Sequence, residues 1–212
     1  MGFLNSSIGR KVVMSLTGLF LISFLVVHLA VNLLTLVSAE AFNSAAHFMA
    51  TNPLIQVMQY VLALGFIFHI IQGINLTLKN KQARPVGYAV NKPSANSSIS
   101  SRSMIITGLL VLLFLILHLK DYFWEIKFDD MNGHATDYDL VVSLFKNPMY
   151  VLLYVFSFIL LGVHLNHGFQ SAFQSVGFNH NKYTPVIKTI STVFCIVIAA
   201  GFSLIAIYFF IN

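Results

Sequence analysis

The chain has 212 residues, 57% of them apolar and 9% charged, with a mean hydropathy of +0.80. A water-soluble domain carries about 25% charged and about 45–50% apolar residues, so 12 basic and seven acidic side chains are too few to cover this one in water, and the net charge of +5 does not point to a nucleic-acid binder. A single Cys excludes an intramolecular disulfide framework, a Cys-rich zinc site and a protein-held iron–sulfur cluster, which leaves an all-α, polytopic membrane protein read as one domain over residues 1–212.

A membrane-spanning helix needs roughly 20 apolar residues to cross about 30 Å of hydrocarbon. The first such stretch is about Val12–Val37, which contains Ser15, Thr17-Gly18-Leu19 and His28-Leu29. Val37-Ser38-Ala39 has the form of a signal-peptidase site, but the apolar run of about 25 residues is longer than the 7–15 of a signal peptide, so the span is kept. Met1-Gly2 with Ser6 fits the myristoylation pattern; one acyl chain adds nothing to a multi-span anchor. A linker with Glu40, Asn43 and His47 follows. The second span, about Leu54–Leu78, opens at Asn52-Pro53, an N-cap before Pro at the first helical position, and holds His69 and Gly73. Lys79–Ser103, rich in Ser, Asn, Lys and Pro, reads as a surface loop. The third span, about Met104–Trp124, contains Thr107-Gly108-Leu109 and His118-Leu119, then Lys120 and Asp121. The fourth, about Met149–Phe173, follows Asn147-Pro148 and contains His164, His167 and Gly168. Thr184-Pro185 reads as the same cap before a fifth span, about Val186–Ile211. His134 and His180 fall in polar loops and read as solvated.

Charge sets the expected orientation. Nine of the Lys and Arg residues (Arg10, Lys11, Lys79, Lys81, Arg84, Lys92, Arg102, Lys182 and Lys188) lie before the first span, in the second and fourth linkers or, for Lys188, at the adjoining start of the fifth span. All seven acids, Glu40, Asp121, Glu125, Asp129, Asp130, Asp137 and Asp139, lie in the other two linkers or, for Asp121, at the adjoining end of the third span. The positive-inside rule then puts the N-terminus in the cytoplasm and the C-terminus outside, which for a bacterial protein means the inner membrane.

Self-comparison shows a repeat. His28 and His118 each follow the Gly of a Thr-Gly-Leu by ten residues, while His69 and His164 each follow the Pro of an Asn-Pro by sixteen and precede a Gly by four. Spans one and two therefore recur as spans three and four, running the same way through the membrane. Ionisable groups inside a bilayer are costly and mark function, and four at repeat-equivalent places point to a cofactor. By helix rise, His28 and His118 lie about 25 Å from the cytoplasmic face, and His69 and His164 lie near that face. The expectation is two His pairs in two layers roughly 15–20 Å apart, which is the arrangement for bis-His ligation of two haems in a bundle core. Zinc or copper would want three or four ligands in one layer, and no carboxylate or thiol accompanies either pair. Gly18, Gly73, Gly108 and Gly168 would let a flat ring approach the backbone, and they also suit close helix packing. His167, one turn past His164, is read as a neighbour or propionate partner, and Ser15 as another.

These residues resemble a known family. His28 with Asn32-Leu33, Phe42-Asn43 with His47 and Asn52-Pro53-Leu54, His69 with Gly73, His118-Leu119-x-Asp121, and His164-Leu-x-His167-Gly168-Phe169-x-Ser171-Ala172-Phe173 look like the five-helix, dihaem cytochrome b anchor of bacterial succinate dehydrogenases and fumarate reductases. The resemblance implies two non-covalent haem b groups, with His28 and His118 on the distal haem and His69 and His164 on the proximal one. It implies two partners on the cytoplasmic face, a flavoprotein with covalent FAD, where succinate and fumarate interconvert, and an iron–sulfur subunit. It also implies electron transfer between that subunit and a membrane quinone, menaquinone by resemblance, near the distal haem. Glu40, Asn43, His47, Lys120 and Asp121 are the expected quinone-site residues, with Ser15, Gln72 and Asn75 as a rival pocket at the other face. Some family members carry a proton-conducting Glu two residues before the fourth-span ligand; here that position is Gly162. Two other classes stand beside this reading. A stand-alone transmembrane dihaem enzyme would want larger outer loops, and a haem-free channel would want charged residues along its spans.

Overall fold

The computed structural model describes residues 6–82, 102–129 and 133–212, and these are mostly helical, joined by short turns and extended residues, with no strand among them. Met1-Gly2, Arg84, Lys92 and Asp130 lie outside the described residues. Helix α1, Ser7–Leu33, starts where Ser6 Oγ accepts the Gly9 N–H at 2.9 Å. A 3-10 turn, Leu34–Leu36, leads to Ser38, which caps α2, Ala39–Thr51, by accepting from Ala41 N–H. Helix α3 is Pro53–Gln82; its Pro lacks an N–H, and the next two amides donate to Asn52 Oδ1. Helix α4, Met104–His118, continues through a π-helical turn, Leu119–Trp124, into α5, Glu125–Phe128. Helix α6, Asp137–Phe145, is capped by Thr136, and α7, Pro148–Ser175, by Asn147. Helix α8 is Thr184–Ile211. At the end of α7, Gly177 takes φ +103°, a left-handed value that Gly adopts without steric cost. There Phe178 N–H reaches back to the Phe173 carbonyl.

Among the described residues five stretches are long and apolar enough to cross a membrane: Ser7–Leu36, Pro53–Gln82, Met104–Phe128, Pro148–Ser175 and Thr184–Ile211. Several boundaries differ from the sequence reading. Arg10 and Lys11 lie within α1. Helix α3 runs on through Lys79–Gln82, because no breaker intervenes and basic side chains suit a helix C-terminus. The third span extends past Trp124 to Phe128. Thr184 is not the cap of α8; that position is Tyr183, which makes no side-chain cap, and the turn is closed by Tyr183 and Thr184 amides donating to the His180 carbonyl. The linkers ahead of α3 and α7 hold the helices α2 and α6.

Helix α1 is central, meeting α3, α7 and α8, while α7 meets α4 and α8. The buried apolar core includes Leu29, Phe42, Phe145, Tyr154, Phe158, Ile198, Phe202 and Phe209, so it lies toward the end of the bundle that carries α2 and α6. Gly201 brings α8 against α1: a Cβ there would fall 2.9 Å from the Leu29 methyls. Toward the other end a Ser–Asn contact joins α7 and α8, with Ser191 Oγ 2.8 Å from Asn166 Oδ1. Helix α3 buries only Gly65 and leaves Leu64, Ile67, Phe68 and Ile71 exposed, as suits a helix facing lipid tails.

Candidate cofactor site

The half-buried imidazoles of His28 on α1 and His118 at the end of α4 face each other with ring centres 5.8 Å apart and planes at 84°. His69 on α3 and His164 on α7 do the same at 6.4 Å and 76°. The backbone explains how the second pair is framed. A Cβ on Gly18 would meet His69 Cε1 at 3.5 Å, and one on Gly108 would meet His164 Cε1 at 3.2 Å. Glycine at 108 therefore lets the His164 imidazole lie close against α4, while at 18 a methyl would be in ordinary contact with His69. Gly73 faces Met14 and Gly168 faces Met104 at 3.5 and 3.6 Å in the same sense, so the two-helix repeat is a repeat of contacts as well as of letters. Since His28 and His118 lie ten residues beyond the glycines that flank the other pair, the two pairs stand about 15 Å apart along the helices.

Each ring has a distinct setting. Phe24 stacks on His28 at 5.1 Å, Phe202 of α8 lies 5.5 Å from it, and Phe114 lies 5.7 Å from His118. The Asn32 amide lies 3.4 Å from His28 Nδ1, and Thr107 Oγ1 lies 3.3 Å from His164 Nδ1. Among the described residues His69 Nδ1 and His118 Nδ1 are buried without a hydrogen-bond partner. Among the described residues no third His, Cys, Asp or Glu joins either pair in a metal-ligating group. Metal–imidazole bonds of about 2 Å put two ring centres about 6 Å apart when one ion lies between them. The observed separations and the donor set of two imidazoles per layer thus fit a haem iron held from both faces.

The other candidates are distributed. Ser15 is buried on α1. His167 Nε2 lies 3.1 Å from Ser171 Oγ, and at its repeat counterpart Gln72, nineteen residues past the Pro in both copies, Oε1 is buried and unpartnered. Glu40 and His47 are exposed on α2, and Lys120 is exposed on the π-turn. Asn43 Oδ1 accepts the Tyr138 N–H at 3.0 Å and so ties α2 to α6. Asp121 is not a solvated linker residue. It is 6% exposed and its Oδ2 accepts a 2.8 Å bond from Tyr154 OH. The π-turn, one residue wider than an α-turn, begins directly after His118 and carries Asp121. Gly162 packs against α8, where a Cβ would lie 3.2 Å from Ala199 Cβ, so a carboxylate would not fit there without moving that helix. His134 lies 3.2 Å from Ser143 Oγ, and His180 is exposed and accepts from Lys182 N–H. Tyr154 was missed by the sequence reading; a Tyr six residues into an apolar span was its only sign.

A model of the succinate dehydrogenase/fumarate reductase transmembrane subunit family matches residues 77–204. The chain belongs to this family. It is thus a multi-pass membrane subunit of the kind found in succinate dehydrogenase and fumarate reductase complexes. The matched segment carries His118 and His164 and ends within α8. The succinate dehydrogenase cytochrome b558 subunit of Bacillus subtilis (strain 168) is 25% identical over 192 residues, which is 89% of each chain. No solved structure matches the chain significantly.

Proposed function

We propose that this chain is the dihaem cytochrome b anchor of a bacterial succinate:quinone oxidoreductase. The observation that carries the reading is the facing of two imidazoles in each of two layers, in a chain of a family whose members are such transmembrane subunits. His28 and His118 hold one haem b, and His69 and His164 hold the other. When bound, the two haems supply one-electron transfer between an iron–sulfur subunit on the cytoplasmic side and a quinone, menaquinone by resemblance. The likeness to a cytochrome b558 subunit supports haem b as the cofactor.

The chain's own residues do the rest. Phe24, Phe114 and Phe202 line the His28–His118 pair and keep water from it. The basic residues at the starts of α1 and α8 and at the end of α3 form the cytoplasmic face, on which the iron–sulfur subunit docks beneath the FAD-bearing flavoprotein. With the N-terminus inside, α2 and the π-turn lie at the outer surface of the inner membrane. There Glu40, His47 and Lys120 are exposed polar groups, and together with Asn43 and Asp121 they form the quinone site. Asp121, engaged by Tyr154, holds that corner of the site in place.

The test is purification of the tagged chain from its native membranes. A flavoprotein and an iron–sulfur subunit are expected with it, together with succinate-driven quinone reduction. The Glu40→Gln/His47→Ala double variant should lose quinone turnover while keeping both haems and succinate oxidation by an artificial dye. Purification without these subunits from active membranes would overturn the anchor role, and unchanged quinone turnover in the double variant would move the quinone site elsewhere.

A further inference from the structure

The two layers differ in what meets the imidazole Nδ1. Thr107 Oγ1 donates to the Met104 carbonyl at 3.1 Å and lies 3.3 Å from His164 Nδ1. A hydroxyl has one proton and two acceptor lone pairs. With that proton on the carbonyl, the contact to the ring is made by Nδ1–H donating to Thr107 Oγ1. This fixes the tautomer, so that Nε2 carries the lone pair a metal ligand needs, and it fixes the rotation of the ring.

The repeat places a second hydroxyl in the same register. Thr17, ninety residues before Thr107, donates to the Val13 and Met14 carbonyls, both at 3.0 Å. The adjoining Gly18 faces His69, with the Cβ direction 3.8 Å from Nδ1, and that Nδ1 is buried without a partner. In the other layer His28 Nδ1 has an amide beside it and His118 Nδ1 has no partner; neither meets a hydroxyl.

We propose that Thr107 is a positioning residue for the haem held by His69 and His164: its hydroxyl accepts the Nδ1–H of His164 and thereby lowers that haem's reduction potential. A hydrogen bond accepted from Nδ1–H makes the ring a stronger donor through Nε2, and a stronger donor favours the oxidised iron. The proposal rests on the dihaem reading of the preceding subsection.

The test uses the purified complex with Thr107→Val, which keeps the branched shape and removes the hydroxyl, and Thr107→Ser, which keeps the hydroxyl. A His164→Ala protein marks which optical component belongs to the His69–His164 haem. Redox titration of Thr107→Val should shift that component to a higher midpoint and alter its low-spin resonance signal, with the other haem unchanged. Thr107→Ser should match the parent. If Thr107→Val loses that haem while Thr107→Ser keeps it, the dependence on the hydroxyl is equally shown. Parent-like midpoints and spectra in Thr107→Val, or identical effects of Val and Ser, would overturn the proposal. A parent complex without two haems would instead overturn the dihaem reading beneath it.

Discussion

Tyr154 on α7 donates a 2.8 Å hydrogen bond to Oδ2 of Asp121 on the π-turn of the third span, and the two are only 1% and 6% exposed. The Tyr154 ring also lies 6.2 Å from His118, so the bond joins the two helices beside one of the facing imidazoles.

Removing the phenol therefore leaves a buried carboxyl without its donor. Tyr154→Phe should cost about 1–3 kcal/mol, read as a lower unfolding midpoint of the detergent-solubilised protein. Tyr154→Phe/Asp121→Asn should recover part of that loss, since an amide is less costly to bury than a carboxylate. An unchanged midpoint in Tyr154→Phe would show that water or a lipid headgroup satisfies Asp121.

The spans and their repeat were legible in the letters because both are one-dimensional properties. A run of apolar residues has a length, and Thr-Gly to His or Asn-Pro to His has a spacing. The site's surroundings were not legible in this way. Whether Asp121 points to solvent or core depends on a π-turn, which one residue of extra width creates and no spacing announces. Tyr154 matters only because α7 meets that turn. Helices α2 and α6 were hidden for a related reason: they are short, and Ser38 and Thr136 become recognisable as caps only once the amides they accept from are known.

Glycine substitutions separate helix propensity from crowding. Ala is favoured over Gly inside a helix by up to about 1 kcal/mol. At Gly18 the new methyl would be in ordinary contact with His69, 3.5 Å away, whereas at Gly108 it would press on His164 at 3.2 Å. Gly18→Ala should keep parent stability and cofactor content or improve on them, and Gly108→Ala should reduce both. Equal behaviour of the two variants, measured by unfolding midpoint and absorbance per chain, would show that the His164 ring gives way freely.

Ser191 is fully buried and its hydroxyl serves two atoms of one residue, the Asn166 carbonyl at 3.0 Å and Oδ1 at 2.8 Å. Hydrogen bonds between membrane helices average about 0.6 kcal/mol and reach about 1.7 kcal/mol. Ser191→Ala should fall within that range in an unfolding titration, because Asn166 keeps the bond from Gln170. A loss well above it would mean that α8 docks on α7 chiefly through this contact.

The proposed dihaem site consists of four histidines acting as two pairs. Haem per chain, counted by optical spectroscopy in the purified protein and in each His→Ala variant, tests it most directly. The parent should hold two haems, each ligated by two imidazoles. His28→Ala and His118→Ala should lose the same haem, and His69→Ala and His164→Ala should lose the other. Two fully ligated haems in His164→Ala would assign the ligand to His167, and loss of one and the same haem in all four variants would contradict the two-layer arrangement.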